Sequence, residues 1–382
     1  MVSTRAKIKK TQATFKTYPS HPSDSDQQST PSGALVASND DLLTEILLRL
    51  PVTSILRFKS VSKHWQCLLT HKSFTLRFDN HSKSPGLFAG NVYVPFHVEN
   101  SNPPFRSLDF CFDPRGIRIE QSCNGLLLCC SDGGNRSARK YYVFNPTTKQ
   151  FAIIPSVPGG RNARKSIIFM GLAFHQTLCA RYKLVCFLGR LEKACRIQIF
   201  SSETWTWKVS IESFSTNWPY FFNGVYWNGA FYCYPFHPGH SYFNVETEQL
   251  QTMPLTPRME ASGDRYHGLV PVYFGESGGR LHLIEAAYCN SLHLVVCEML
   301  SDHSGWFVKY RVELDELAGA FPEVNGWMCY RFYDTFMVLS IPGKMIKYNV
   351  HDKSFEHIFS FNDKKHVVPL QAHRYIESLA SL

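Results

Sequence analysis

A chain of 382 residues with 44% hydrophobic, 14% aromatic and 19% charged residues has a globular composition and excludes disorder as the general state. The formal net charge of +9 is spread along the chain and forms no basic stripe interleaved with aromatics, which speaks against nucleic-acid binding. No apolar run approaches the roughly 18 residues of a membrane span and the polar N-terminus has no signal peptide, so an intracellular protein of the cytoplasm or nucleus is expected.

Residues 1–37 lack apolar periodicity, and Pro19 to Gly33 is dominated by Ser, Pro, Gln and Asp. Such a segment buries too little surface to offset its ordering entropy and reads as a disordered tail. The basic run Arg5 to Lys10 is a possible nuclear import signal, although short clusters of this kind are more often solvated charge.

From residue 38 the pattern becomes helical, and residues 38–78 form one module. Ser38 or Asn39 can cap a helix whose first turn holds Asp40 and Asp41 against the helix dipole. Leu42, Leu43, Ile46, Leu47 and Leu50 follow as a single apolar stripe until Pro51 stops the helix. A second helix is expected from Val52 to about Lys59, and a third from near Ser62 with Trp65, Leu68 and Leu69. His71 to Phe78 is expected to add one more turn. Three short helices in about 40 residues cannot easily enclose a core, so their apolar residues either pack on the neighbouring domain or face another protein.

The string from Asn39 to Phe78 resembles the F-box of plant F-box proteins. The matching pieces are Asp40-Asp41-Leu42-Leu43, Ile46-Leu47, Arg49-Leu50-Pro51-Val52, Ile55-Leu56-Arg57-Phe58 and Val61-Ser62-Lys63 with Trp65. Ser38-Asn39 stands where the family usually opens with Leu-Pro, which removes an apolar anchor. The resemblance implies a small all-α module that binds a Skp-type adaptor and, through it, cullin. It also implies adaptor-binding roles for Leu42, Leu43, Ile46, Leu47, Leu50, Pro51, Val52, Ile55, Leu56, Val61 and Trp65.

From residue 79 to 382 the period switches to two, without a convincing long amphipathic helix. Phe144–Phe151, Phe200–Trp207, Phe243–Leu250 and Tyr348–Phe355 share one plan. Each has an aromatic residue, a small polar turn-former beside it and an apolar residue seven positions on, as in strand, turn and strand. A fifth copy, Val296 through Trp306, fits only with an insertion. Gly-bearing turns are expected at Asn124-Gly125, Asn223-Gly224, Gly278-Gly279 and Asn325-Gly326. The aromatic repeats lie 56, 43 and 105 residues apart, and a period near 50 points to a kelch-type β-propeller or a similar closed β array, with a pair of β-sandwiches as the alternative. Ser122-Cys123-Asn124-Gly125-Leu126-Leu127 and Phe144-Asn145-Pro146-Thr147 are similar to the F-box-associated domain of plant F-box proteins.

Twelve cysteines do not make a disulfide framework here, because most sit in apolar runs such as Leu128-Cys129-Cys130 and no CxxC pair occurs. Gly275-Glu276-Ser277-Gly278-Gly279 matches the GxSxG nucleophile elbow, but a strand rather than a helix is expected to follow, so it reads as a hairpin turn. His237-Pro238-Gly239-His240 lacks further ligands at metal-site spacing. Trp205, Trp207, Trp218, Trp227, Trp306 and Trp327 read as blade cores, with one or two facing a central channel. No catalytic residue, cofactor or metal is therefore expected. The reading is a substrate receptor of a Skp–cullin–F-box ubiquitin ligase, its protein substrate unknown. A ligand-binding propeller that merely carries an F-box, or a scaffold acting without the ligase, is the alternative.

Overall fold

The computed structural model describes residues 31–81, 86–96, 116–131, 138–175, 181–189, 194–215, 223–234, 241–256, 269–287, 290–322, 328–333, 335–360 and 372–382. It divides into two compact units between Ile46 and Leu47.

The helical residues form α1 (Pro31–Ala37), α2 (Asp40–Leu47), α3 (Val52–Phe58), α4 (Lys63–Thr70) and α5 (Lys72–His81). Asn39 caps α2, its side-chain oxygen accepting from the amides of Asp41 and Leu42 at 3.1 Å. Pro51 occupies the cap position of α3, where its missing N–H costs nothing. Ser62 caps α4 by accepting from the Trp65 amide at 3.1 Å. Two findings differ from expectation. α1 lies inside the stretch read as a disordered tail, and α5 is a 10-residue helix rather than one turn. Phe74 and Phe78, four positions apart, give α5 a buried stripe that outweighs its polar composition.

The remaining residues build six antiparallel sheets. Blade 1 contains β1 (Gly86–Ala89), β2 (Val92–Pro95) and, from the C-terminal end of the chain, β23 (Ala372–Tyr375). Blade 2 contains β3 (Ile117–Cys123), β4 (Leu126–Ser131), β5 (Tyr141–Asn145) and β6 (Gln150–Ile154). A short helix α6 (Gly160–Lys165) leads into blade 3, with β7 (Ile167–Phe174), β8 (Tyr182–Leu188), β9 (Ala194–Ser201) and β10 (Thr206–Ser215). Blade 4 contains β11 (Asn223–Trp227), β12 (Ala230–Tyr234), β13 (Ser241–Asn244) and β14 (Leu250–Thr252). Blade 5 contains β15 (Leu269–Ser277), β16 (Arg280–Ala287), β17 (Asn290–Met299) and β18 (Trp306–Glu313). After helix α7 (Asp315–Ala320), blade 6 contains β19 (Met328–Tyr333), β20 (Phe336–Ile341), β21 (Lys344–Asn349) and β22 (Phe355–Ser360).

The innermost strands follow one another in a closed circle of β3, β7, β11, β15, β19 and β23, with β23 returning to β3. Each adjacent pair of blades is joined by its own apolar cluster, including the pair formed by blades 6 and 1 through Leu87, Val94, Tyr333 and Met345. The domain is a six-bladed β-propeller closed by its C-terminal strand. Blade stacking explains why β4 is buried at every position. Leu126 and Leu128 face blade 3, whereas Leu127 and Cys129 face blade 1.

All four regular aromatic repeats fall on the hairpin between the third and fourth strands of a blade, in blades 2, 3, 4 and 6. The polar residue after the aromatic closes the turn. Asn145, Asn244 and Asn349 accept from the amides of Thr147, Glu246 and His351 at 2.9–3.0 Å, and Ser201 accepts from the Glu203 amide at 3.2 Å. Five positions after each aromatic the backbone turns left-handed, at Lys149, Trp205, Glu248 and Lys353 with φ between 56° and 60°. The irregular fifth copy is the equivalent turn of blade 5, closed by Leu300 N–H to Gly305 C=O at 2.9 Å.

Asn124-Gly125 and Gly278-Gly279 are turns with two consecutive positive φ values, as two-residue hairpins require. Asn223-Gly224 is not a turn. It starts β11, and that blade turns at Asn228-Gly229 instead. Gly224 is needed for a different reason: a Cβ there would lie 2.2 Å from the Phe169 ring of blade 3. Asn325-Gly326 lies outside the described residues.

Candidate functional site

The helical residues leave part of their apolar surface exposed. On α2, Leu43 and Leu47 are 4% and 1% exposed, whereas Leu42 and Ile46 are 50% and 48% exposed. What reads as one stripe is therefore two parallel i, i+4 ridges, one turned inward and one toward solvent. Further along, Val52 and Ile55 are buried, Leu50, Leu56 and Trp65 are half-buried, and Pro51 and Val61 are exposed. The Phe58 and Trp65 rings meet edge to face at 5.2 Å, which orients the indole.

Exposure sorts the expected residues into two groups. Leu43, in the first unit, and Leu47, Val52 and Ile55, in the second, are buried. Leu42, Ile46, Leu50, Pro51, Leu56, Val61 and Trp65 remain accessible. Helical periodicity at offsets of 0, 1, 4 and 5 cannot tell these two groups apart, because both ridges are apolar.

The propeller carries a second feature, an axial cavity of about 670 Å³. Its wall is built by β3, β11, β15, β19 and β23, with His175 just past β7. Arg331 on β19 donates through Nε to the Ala372 carbonyl at 2.9 Å. Arg374 on β23 reaches Glu276 on β15 at 3.2 Å, and Glu276 also accepts from the Gly279 amide at 2.8 Å. Glu120 on β3 is held by Arg118 at 2.5 Å and accepts from the Cys130 thiol at 2.8 Å. Burial, assisted by the Arg331 charge, pushes the His373 imidazole down to about 3, so it is neutral at ordinary pH.

Of the tryptophans, Trp227 lines this cavity and donates to the Gly279 carbonyl at 2.8 Å. Trp207 and Trp306 tie neighbouring blades together by donating to the carbonyls of Pro155 and Pro254, at 2.9 and 3.2 Å. Trp205 is not a core residue. It occupies a left-handed turn position and is 45% exposed, with its ring against Phe200. Trp218, Trp327 and the His237–His240 pair lie outside the described residues.

Ser277 of the GxSxG string ends β15, and β16 follows directly after the Gly278-Gly279 turn, so the strand-to-helix geometry of a nucleophile elbow is not formed. Among the described residues no cluster of three or more His, Cys, Asp or Glu has metal-site geometry. The described cysteines are free, and all but Cys67 and Cys233 are buried. Among the described residues no helix is long and apolar enough to cross a membrane.

The two motifs shared with F-box-associated domains serve one purpose that spacing did not reveal. The Asn145 side-chain amide donates to the carbonyls of Ser378 and Ala380 at 3.1 and 2.7 Å. The Thr147 hydroxyl accepts from the Ser378 amide at 3.1 Å, and the Ser122 hydroxyl donates to the Arg374 carbonyl. A Cβ at Gly125 would lie 2.4 Å from the Cβ of Ser378. Together they form the seat of the C-terminal segment that closes the ring.

Comparison with known proteins agrees with both parts. The F-box domain family matches residues 39–77 and the F-box associated beta propeller domain family matches residues 99–268. The Arabidopsis thaliana F-box protein At5g07610 is 30% identical over 93% of this chain and 94% of its own length. F-box protein At5g49610, from the same organism, is 39% identical over 30% of this chain and 32% of its own. Among solved structures, a chain of a nidogen/laminin complex aligns over 78% of this chain and 98% of its own, with 10% identity and a TM-score of 0.42. The helical module, the six blades and a relative matched over nearly its whole length lead to one conclusion: the chain belongs to the plant F-box proteins that carry a C-terminal F-box-associated β-propeller.

Proposed function

We propose that this chain is the substrate-recognition subunit of a Skp–cullin–F-box ubiquitin ligase, with the helical module docked on the Skp-type adaptor and the propeller holding a target protein. The observation that carries this reading is the outward ridge of Leu42 and Ile46, two large apolar side chains about half exposed on a helix whose sequence is that of an F-box. In the second unit, exposed Pro51 and Val61 and half-buried Leu50, Leu56 and Trp65 offer apolar area of their own. Interfaces of lasting complexes are largely apolar at their centre, and such a surface suits one.

On this reading the chain supplies no acid, base or nucleophile to ubiquitin transfer. It raises the effective concentration of a substrate lysine near the charged enzyme by holding both in one assembly. Six blades send loops to two rims, which offers a target a wide platform.

Co-purification with a Skp-type adaptor tests the first half. The intact chain brings adaptor and cullin down, and Leu50→Asp combined with Pro51→Ala abolishes it; survival of binding in that variant rejects the interface. Proximity labelling in native cells tests the second half. Proteins that accumulate when residues 39–78 are deleted are the candidate targets, and absence of any accumulation removes degradation as the output.

A further inference from the structure

Among the described residues that line the axial cavity, three are arginines, Arg280, Arg331 and Arg374, and two are carboxylates, Glu120 and Glu276. Both carboxylates are engaged, Glu120 by Arg118 and the Cys130 thiol, Glu276 by Arg374 and the Gly279 amide. Arg280 lies toward solvent and 3.9 Å from Glu298. Arg331 is different. Its Nε–H is taken by a backbone carbonyl and its neighbour Tyr273 is a phenol; the Glu276 charge acts on it from a distance, and no described carboxylate forms an ion pair with it within 4.0 Å.

A guanidinium remains charged at any accessible pH and presents five donors in a planar fork. Burying one without a counter-ion is costly, and the cost is relieved when an anion arrives in the same low-dielectric space. The Nε of Arg374 and the Nε2 of His373, in the same wall, are also buried without a partner. Val225, Tyr226 and Phe274, on β11 and β15, add apolar surface to the lining. A volume near 670 Å³ falls within the roughly 300–1,000 Å³ of small-molecule sites.

We propose that the axial cavity is a ligand site for a carboxylate carried on an apolar body, with the carboxylate drawn to Arg331 and the body lying against the aromatic wall. The carboxylate belongs either to a free organic acid or to the C-terminal end of a peptide, since both present the same planar acceptor. This site is independent of adaptor binding and holds whether or not the chain delivers substrates.

The test uses the full chain co-purified with its adaptor. Binding of 4-phenylbutyrate is compared with that of the uncharged 4-phenylbutyramide by calorimetry and saturation-transfer NMR. In parallel, a hexapeptide ending in Phe is compared with its C-terminally amidated form. At least one acid binds about tenfold or more tightly than its amide, the size expected of a charge-assisted hydrogen-bond pair. Preference confined to phenylbutyrate identifies a small organic acid, and preference confined to the peptide identifies a chain end.

Arg331→Met removes the preference. Where that variant does not fold, Arg374→Gln serves instead, because freeing Glu276 places an uncompensated negative charge in the wall and weakens acid binding to a similar extent. Equal binding of acid and amide in both pairs overturns the proposal. So does the absence of binding by either acid, or a preference that survives in every folded variant.

Discussion

Asp79 and Ser378, almost 300 residues apart, meet in a buried hydrogen bond of 2.9 Å from the Ser378 hydroxyl to the Asp79 carboxylate. The other carboxylate oxygen accepts from the Leu379 amide at 3.0 Å. Asp79 belongs to α5, the last helix before the propeller, and Ser378 follows β23, the strand that closes the ring. Ser378 is in turn held by Asn145 and Thr147 of blade 2. One short C-terminal segment thus links the helix, the closing strand and the neighbouring blade.

Asp79→Ala leaves the Ser378 hydroxyl and the Leu379 amide buried without an acceptor, and an unfulfilled group of this kind costs about 1–3 kcal/mol. Asp79→Asn keeps an acceptor for the amide and a partner for the hydroxyl. The Ala variant is therefore expected to unfold at clearly lower denaturant concentration, with the Asn variant close to the intact chain. Equal loss in both variants contradicts the hydrogen-bond account.

The same carboxylate gives a pH dependence whose sign follows from burial. Burial raises Asp79 from 3.8 to about 6, against the two hydrogen bonds that lower it. The folded state then holds this proton more tightly than the unfolded state, so the contribution is full below pH 4 and is lost as pH rises through about 6. Glu377, raised by burial to about 7, acts in the same direction. His373 opposes both. Its neutral form is favoured in the fold, so its contribution is present above pH 6.5 and is lost as pH falls toward 3. Asp79→Asn deletes one of the two acidic contributions and leaves His373. Its stability, measured by denaturant titration, is expected to fall behind that of the intact chain as pH drops from 6 to 4, by about 2–3 kcal/mol over the full shift. Parallel profiles rule this out.

Gly125 tests the seat from the other side. Its φ of 91° disfavours any side chain, and a Cβ would press on Ser378 and on the Ile376 carbonyl. Gly125→Ala is expected to cost about 1–3 kcal/mol. Hydrogen exchange is expected to quicken first in residues 376–380, before the blades open. Faster exchange confined to the β3–β4 turn argues for local strain alone.

The sequence showed the turn formers and concealed their partners. Asn145 is legible as a turn residue because its oxygen serves amides two and three positions away. Its amide nitrogen serves carbonyls more than 230 residues away, which no local pattern encodes. Gly224 shows the same limit. An Asn-Gly pair before alternating apolar residues reads as a hairpin, yet the glycine answers to a phenylalanine on the next blade. The blade repeat was legible because each copy must make the same left-handed turn. The cavity was not, because Arg331 and Arg374 come together only when the ring closes.

On the proposed reading, the two ridges of α2 separate folding from adaptor binding. Leu42→Asp with Ile46→Asp changes side chains that are half exposed, so unfolding of the free chain is expected to shift little, within about 0.5 kcal/mol for each substitution. If the outward ridge is buried against the adaptor, as proposed, two charges there face an apolar surface without partners and co-purification of adaptor is lost. Leu43→Ala and Leu47→Ala act oppositely. Each truncates a buried side chain and is expected to destabilise by about 2–5 kcal/mol, with adaptor binding surviving in the fraction that stays folded. The measurement is a paired one, thermal unfolding beside adaptor capture from equal amounts of folded protein. Retention of adaptor by the Leu42/Ile46 variant rejects the outward ridge as the interface. Loss of capture by folded Leu43→Ala, with Leu42 and Ile46 intact, places the interface on the inward ridge instead.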